Sequence, residues 1–159
     1  MVEMMLHRKQ GAIEDALQDA RRALALRPTR YEAHATIAEC LEEKNDVAGA
    51  MAEWSKALTA AGQKAHPFWR YRYGKLLLER GNAAEAQRLL AASIEGAERL
   101  EPRPAWISQL EFLLAEAYRK TGHNAQALEH YKRFVETAPQ GSADLADARK
   151  WIQEHTSRP

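Results

Sequence analysis

Cysteine is nearly absent: Cys40 is the single one in 159 residues. An internal disulfide is thereby excluded, and so is a cysteine-rich zinc site. An excess of charge of one sign is also lacking, since 23 Lys and Arg stand against 22 Asp and Glu, a net charge of +1. Nucleic-acid binding driven by a basic surplus is therefore not expected. Long apolar runs are missing too. A membrane-spanning helix needs roughly 18 such residues, and stretches such as Leu76-Leu77-Leu78 are broken at once by charge. The opening residues have an early acid, Glu3, and no apolar core of signal-peptide length. A soluble chain is expected, cytoplasmic or periplasmic. Strand-type alternation is absent as well, while alanine is abundant, which favours helix throughout.

Catalytic and cofactor signatures are equally scarce. There is no G-x-G-x-x-G, no phosphate-binding loop, no G-x-S-x-G and no H-E-x-x-H. No two of the six histidines stand three or four residues apart, the spacing that puts two metal ligands on one helical face. Cys40 adjoins Leu41 and reads as a packed thiol. The carboxylates read as solvated helical faces, such as Glu42-Glu43-Lys44, with no acid isolated among apolar neighbours. No enzymatic activity, cofactor, metal or small-molecule substrate is expected.

What the sequence does hold is a repeat. Gly11-Ala12-Ile13-Glu14-Asp15-Ala16, Asn45-Asp46-Val47-Ala48-Gly49-Ala50, Gly81-Asn82-Ala83-Ala84-Glu85-Ala86 and Gly122-His123-Asn124-Ala125-Gln126-Ala127 each run from Gly or Asn to Ala. Their starts at 11, 45, 81 and 122 are 34, 36 and 41 residues apart. Gly11, Asn45, Gly81 and Gly122 suit a left-handed break between two helices. Asp46, Asn82 and Asn124 suit the cap of the helix that follows. Before the breaks, Ala38, Gly74 and Ala115 are small enough for close helix approach, and Trp54, Leu90 and Tyr131 behind them are large enough to fill the remaining space.

The spacing and capping predict helices at about 1–10, 12–26, 30–43, 46–60, 67–80, 83–100, 104–121, 124–137 and 142–155. The longer third interval contains Pro102 and Pro104, which forbid a continuous helix. One extra turn on each flanking helix is expected there, with Ile94, Ala97 and Leu100 meeting Trp106, Ile107 and Leu110. The last helix, with Leu145, Ala148, Trp151 and Ile152 inward and Asp144, Asp147, Lys150 and Glu154 outward, reads as a cap.

A period near 34, tight turns and small–large complementarity together resemble the tetratricopeptide-repeat family along nearly the whole chain. The resemblance implies an all-α fold: a right-handed superhelix of stacked antiparallel hairpins, about three and a half repeats and a capping helix. The units fall at about 1–28, 29–62, 65–101 and 104–139, with the cap at 142–155, in one domain. The short opening unit leads us to expect a segment of a longer chain.

The resemblance further implies a protein or peptide partner held on the concave side, which the first helix of each unit lines. The outward helical stripe there offers Ala35, Glu39 and Glu42, then Phe68, Tyr71, Arg72, Lys75 and Leu78, then Gln109, Phe112, Glu116 and Arg119, with Met5, Arg8 and Lys9 from the opening unit. An apolar anchor would meet Phe68, Tyr71 and Phe112; acidic groups would meet Arg72, Lys75 and Arg119; a basic end would meet Glu39 and Glu42. Ala35 and Glu39 stand where a carboxylate clamp of the chaperone-tail type needs basic and amide groups. Trp69 and Trp106 form a second aromatic patch on one rim. Two alternatives accompany this reading. A half-covered opening helix, through Leu17, Ala20 and Leu24, would favour a homodimer. The interleaved run Phe68-Trp69-Arg70-Tyr71-Arg72-Tyr73 would favour single-stranded nucleic acid.

Overall fold

The computed structural model describes residues 2–156, and side chains from Lys9 to Thr156. Among the described residues all regular structure is helical: α1 (Val2–Leu26), α2 (Tyr31–Glu43), α3 (Val47–Ala61), α4 (Pro67–Glu79), α5 (Ala83–Ala97), α6 (Ile107–Lys120), α7 (Asn124–Thr137) and α8 (Leu145–Thr156), with a short 3-10 turn at Gly62–Lys64. Two compact units divide the chain, residues 1–65 and 66–159.

In the first unit, α2 and α3 pair as a hairpin and α1 packs along α2. Asn45 makes the turn with φ 59°, and Asp46 caps α3 by accepting from the Gly49 amide at 2.9 Å. Ala38, Ala50, Trp54 and Ala57 are completely buried. The small residues bring the two helices together, and the Trp54 indole fills the space beside them.

The expected break at Gly11 does not form. Gly11 lies inside the continuous helix α1, and its φ is not positive. The sequence around it explains why. Ala12 stands where Asp46 and Asn82 cap the next helix, and Met4 stands where Ala38, Gly74 and Ala115 allow close approach. Lys9 reaches Glu43 at 2.7 Å and Lys44 reaches Glu14, which ties the straight helix to the end of α2. The proposed dimer face is likewise corrected. Leu17 and Ala20 are 2% and 7% exposed because α2 covers them, with Leu24 packed at the edge of the same cluster.

The second unit holds two hairpins, α4–α5 and α6–α7, with α8 packed on α7. Gly81 and Gly122 turn at φ 84° and 81°. Asn82 caps α5 by accepting from the Glu85 amide at 3.4 Å. The expected cap at Asn124 is displaced by one residue: His123 occupies the cap without a side-chain bond to the helix backbone, and Asn124 is the first helical residue. A Cβ on Gly74 would come within 2.8 Å of Leu90, so that glycine is what lets α4 lie on α5. Pro67 at the start of α4 packs against Gly96, and its carbonyl accepts from the buried Ser93 hydroxyl at 2.8 Å.

The seven additional residues of the third interval do not lengthen the helices. The fifth helix ends at Ala97 and the sixth begins at Ile107, so residues 98–106 form a connecting loop. Its Glu101–Pro102 bond is cis. Pro102 and Pro104 stop helix growth from both sides, so the extra length goes into the loop. The capping helix is as expected: Leu145 and Ala148 join Tyr131 and Phe134 in a core cluster with Trp151 and Ile152 against it. Asp147, Lys150 and Glu154 are exposed, whereas Asp144 accepts from the Gln109 amide at 3.2 Å.

Candidate partner-binding faces

Phe68, Tyr71, Arg72 and Lys75 recur at the three- and four-residue spacing that puts them on one stripe of α4. The stripe is not uniformly open. Tyr71 is 6% exposed, because the Trp106 ring from the 98–106 loop stacks on it at a centroid distance of 5.3 Å and 18° between planes. Phe68 meets the Trp106 edge at 5.5 Å and Tyr71 at 5.8 Å. Phe68 and Trp106 remain half-buried, as do Arg72 and Lys75, and the Lys75 ammonium lies 3.8 Å from Glu79. Trp106 thus joins the α4 stripe and makes no separate rim patch. Leu78, expected on the open stripe, is buried.

On α6, Phe112 turns toward the hairpin interior. Its ring lies 5.1 Å from Phe134 and 5.9 Å from Tyr131, so it is half-buried packing against the core cluster. Glu116 accepts from the Tyr131 hydroxyl and pairs with Arg119 at 2.6 Å. Burial raises the Tyr131 pKa, and the neighbouring Glu116 raises it further. The hydrogen bond to Glu116 raises that of Arg119. The Glu116–Arg119 pair is therefore charge-compensated within α6, with the guanidinium the more exposed member.

In the first unit, α2 presents Glu39 to solvent. Glu42 is half-buried and accepts from the Trp54 indole N–H at 2.7 Å, so its carboxylate fastens the hairpin. Ala35 is 3% exposed and does not belong to an open stripe. Cys40 is buried; burial raises its thiol pKa, and Glu39, Glu14 and Glu43 add to the effect. Met5 and Arg8 have side chains outside the described residues.

The reading of all carboxylates as solvated is corrected at Glu111, which is 1% exposed. His130 Nδ1 meets it at 2.6 Å, with Arg133 at 3.9 Å. The flanking residues Leu110, Phe112, Leu113 and Leu114 carried the signal for that burial. His34 and Glu53 make a like pair at 2.6 Å between α2 and α3. Among the described residues, no three His, Cys, Asp or Glu side chains converge on a metal-sized space, and no helix is long and apolar enough to cross a membrane.

Residues 110–141 match the family model described as tetratricopeptide repeat. No curated protein matches the chain. Among solved structures, it is similar to YrrB, described as a TPR protein with an unusual peptide-binding site, at TM-score 0.77 and 19% identity over 96% of this chain and 74% of that one. MamA aligns at TM-score 0.67 and 14% identity, covering 94% of this chain and 90% of MamA. A MamA double mutant aligns at 0.67 and 20% identity over 96% and 88%. The family model matches one repeat of the chain, and the likeness to these solved structures shows a fold of the tetratricopeptide-repeat type along nearly its whole length.

Proposed function

We propose that this chain is a non-catalytic protein-interaction scaffold and that α4, with the loop before α6, receives a peptide segment of a partner protein. The ring cluster of Phe68, Tyr71 and Trp106 carries the reading. Two half-exposed rings, held rigid by a buried third, offer an apolar anchor site at little entropic cost. Arg72 and Lys75 follow on the same stripe and favour acidic groups beside the anchor. The preferred segment is thus an aromatic or aliphatic residue flanked by Asp or Glu. Phe112, Glu116 and Glu42 serve packing and internal pairing, whereas the exposed Arg119 on α6 and Glu39 on α2 offer further polar contacts. The likeness to a peptide-binding repeat protein supports this class of partner.

A random peptide library displayed against the full chain tests the proposal. Enrichment of acidic peptides with an apolar anchor is expected, with affinity falling roughly tenfold in Lys75→Glu. A selection that enriches nothing, or peptides that Lys75→Glu holds equally well, would overturn the assignment.

A further inference from the structure

Among the described residues, one face of α1 has no helix packed along it, the end of α2 reaching only Glu14 at its margin. Gly11, Glu14, Asp15, Gln18, Arg21, Arg22 and Ala25 are all exposed there. All of these but Gly11 line one open groove of about 570 Å³, to which Leu17 contributes an edge. Asp15, Gln18 and Arg21 make no hydrogen bond or ion pair among the described residues, whereas Glu14 meets Lys44 and Arg22 lies 3.7 Å from Asp19, both in exposed pairs that can exchange partners. The face has a seven-residue period. Gly11, Gln18 and Ala25 form a central seam, with Glu14 and Arg21 along one side and Asp15 and Arg22 along the other. Acid comes first and base second on both sides.

This is a self-complementary pattern. When two helices pair antiparallel about a two-fold axis, each flank meets the same flank of its copy with the order reversed. An axis at Gln18 sets Gln18 against its own copy, amide to amide. It sets Gly11 against Ala25 of the second chain, small against small, which allows close approach. One flank then brings Glu14 to the second chain's Arg21, and the other brings Asp15 to its Arg22. Each pair occurs twice by symmetry, and no like charges are opposed. A parallel pairing would instead set acid on acid and base on base. Leu26, which is 84% exposed, lies at the rim of this face, where pairing would cover part of it.

We propose that α1 of one chain pairs antiparallel with α1 of a second copy through this face, giving a weak, salt-sensitive homodimer. The seam is small and polar and the flanks are charged, so the charges set register and orientation while little apolar area is buried. This surface shares no residue with the α4 stripe, so its test does not depend on peptide binding.

The experiment is sedimentation equilibrium of the full chain over a wide concentration range at low and high salt. A monomer–dimer equilibrium is expected, weakened roughly tenfold by high salt. Asp15→Arg alone and Arg22→Asp alone each oppose like charges across the axis and are expected to leave monomer. The double variant Asp15→Arg/Arg22→Asp restores opposite charges and is expected to dimerise again. Circular dichroism of each variant separates loss of pairing from loss of fold, and recovery in the double variant cannot come from misfolding. Wild-type chain that stays monomeric throughout, or a dimer indifferent to both single reversals, overturns the proposal.

Discussion

His130 Nδ1 lies 2.6 Å from a carboxylate oxygen of Glu111, and His34 Nδ1 lies 2.6 Å from one of Glu53. Both pairs span 19 residues. In both, the first member stands eleven residues before the turn residue and the second eight after it. The order is inverted, however: His then Glu in α2–α3, Glu then His in α6–α7. The hairpin therefore fixes the place of the pair and accepts either polarity, because the two side chains approach across the same gap from opposite helices.

Breaking the Glu111 pair is expected to be costly. His130→Ala leaves a carboxylate that is 1% exposed with, among the described residues, Arg133 as its remaining ion-pair partner at 3.9 Å, and the expected loss is about 3–5 kcal/mol. The inversion predicts the rescue. Glu111→His with His130→Glu reproduces the order of the first unit and is expected to recover most of the loss. Urea unfolding of the two variants against wild type measures both effects, and a double variant no more stable than His130→Ala contradicts the equivalence of the two sites.

Glu53 links stability to pH. Burial pushes its carboxyl pKa up, but the hydrogen bonds from Lys56 and His34 outweigh burial and hold it below its ordinary value of 4.5. A lowered folded pKa contributes stability above the unfolded value, and that contribution disappears as pH falls through the folded value. The stability difference between wild type and Glu53→Gln is therefore expected to shrink from about pH 6 to about pH 3. Denaturant unfolding at each pH gives the curve; a difference that grows on acidification contradicts the sign.

The hairpins were legible in the sequence because their cause is local. Asn45, Gly81 and Gly122 are where the backbone goes left-handed, and the small residues before and after them are where helices touch. Gly11 misled because a glycine licenses a turn without compelling it: absent a capping residue and a small partner, the helix runs on. The extra residues of 98–106 misled in the other direction, since length alone does not say whether it goes into helix or loop. The α4 stripe was legible as a stripe, but the burial of Tyr71 was not, because the ring that covers it, Trp106, lies far along the sequence. Position on a helix is periodic, whereas burial depends on what arrives from elsewhere.

Trp106 should accordingly govern the stability of the second unit as well as its surface. Trp106→Ala removes a stacked ring from Tyr71 and an edge contact from Phe68, at a cost of about 2 kcal/mol. It also bares Tyr71, so collisional quenching of tyrosine fluorescence is expected to rise in the folded variant. Unchanged stability and unchanged quenching together would mean that the ring does not sit on Tyr71 in solution.

Three glycines give a comparison in which one substitution has three different outcomes. Gly11 lies inside α1 with nothing within 4 Å of an added Cβ, so Gly11→Ala is expected to stabilise by about 0.5–1 kcal/mol through helix propensity. Gly81 also has open space but sits at φ 84°, so Gly81→Ala is expected to destabilise by about 1 kcal/mol through backbone strain alone. Gly74 has helical backbone and would gain propensity, yet its added Cβ would lie 2.8 Å from Leu90. That leucine is completely buried and cannot move into solvent. Overpacking then outweighs propensity, and Gly74→Ala is expected to cost about 1–3 kcal/mol. Thermal and urea unfolding of the three variants decide the order. A destabilised Gly11→Ala in particular would mean that residue 11 takes up the turn conformation in solution.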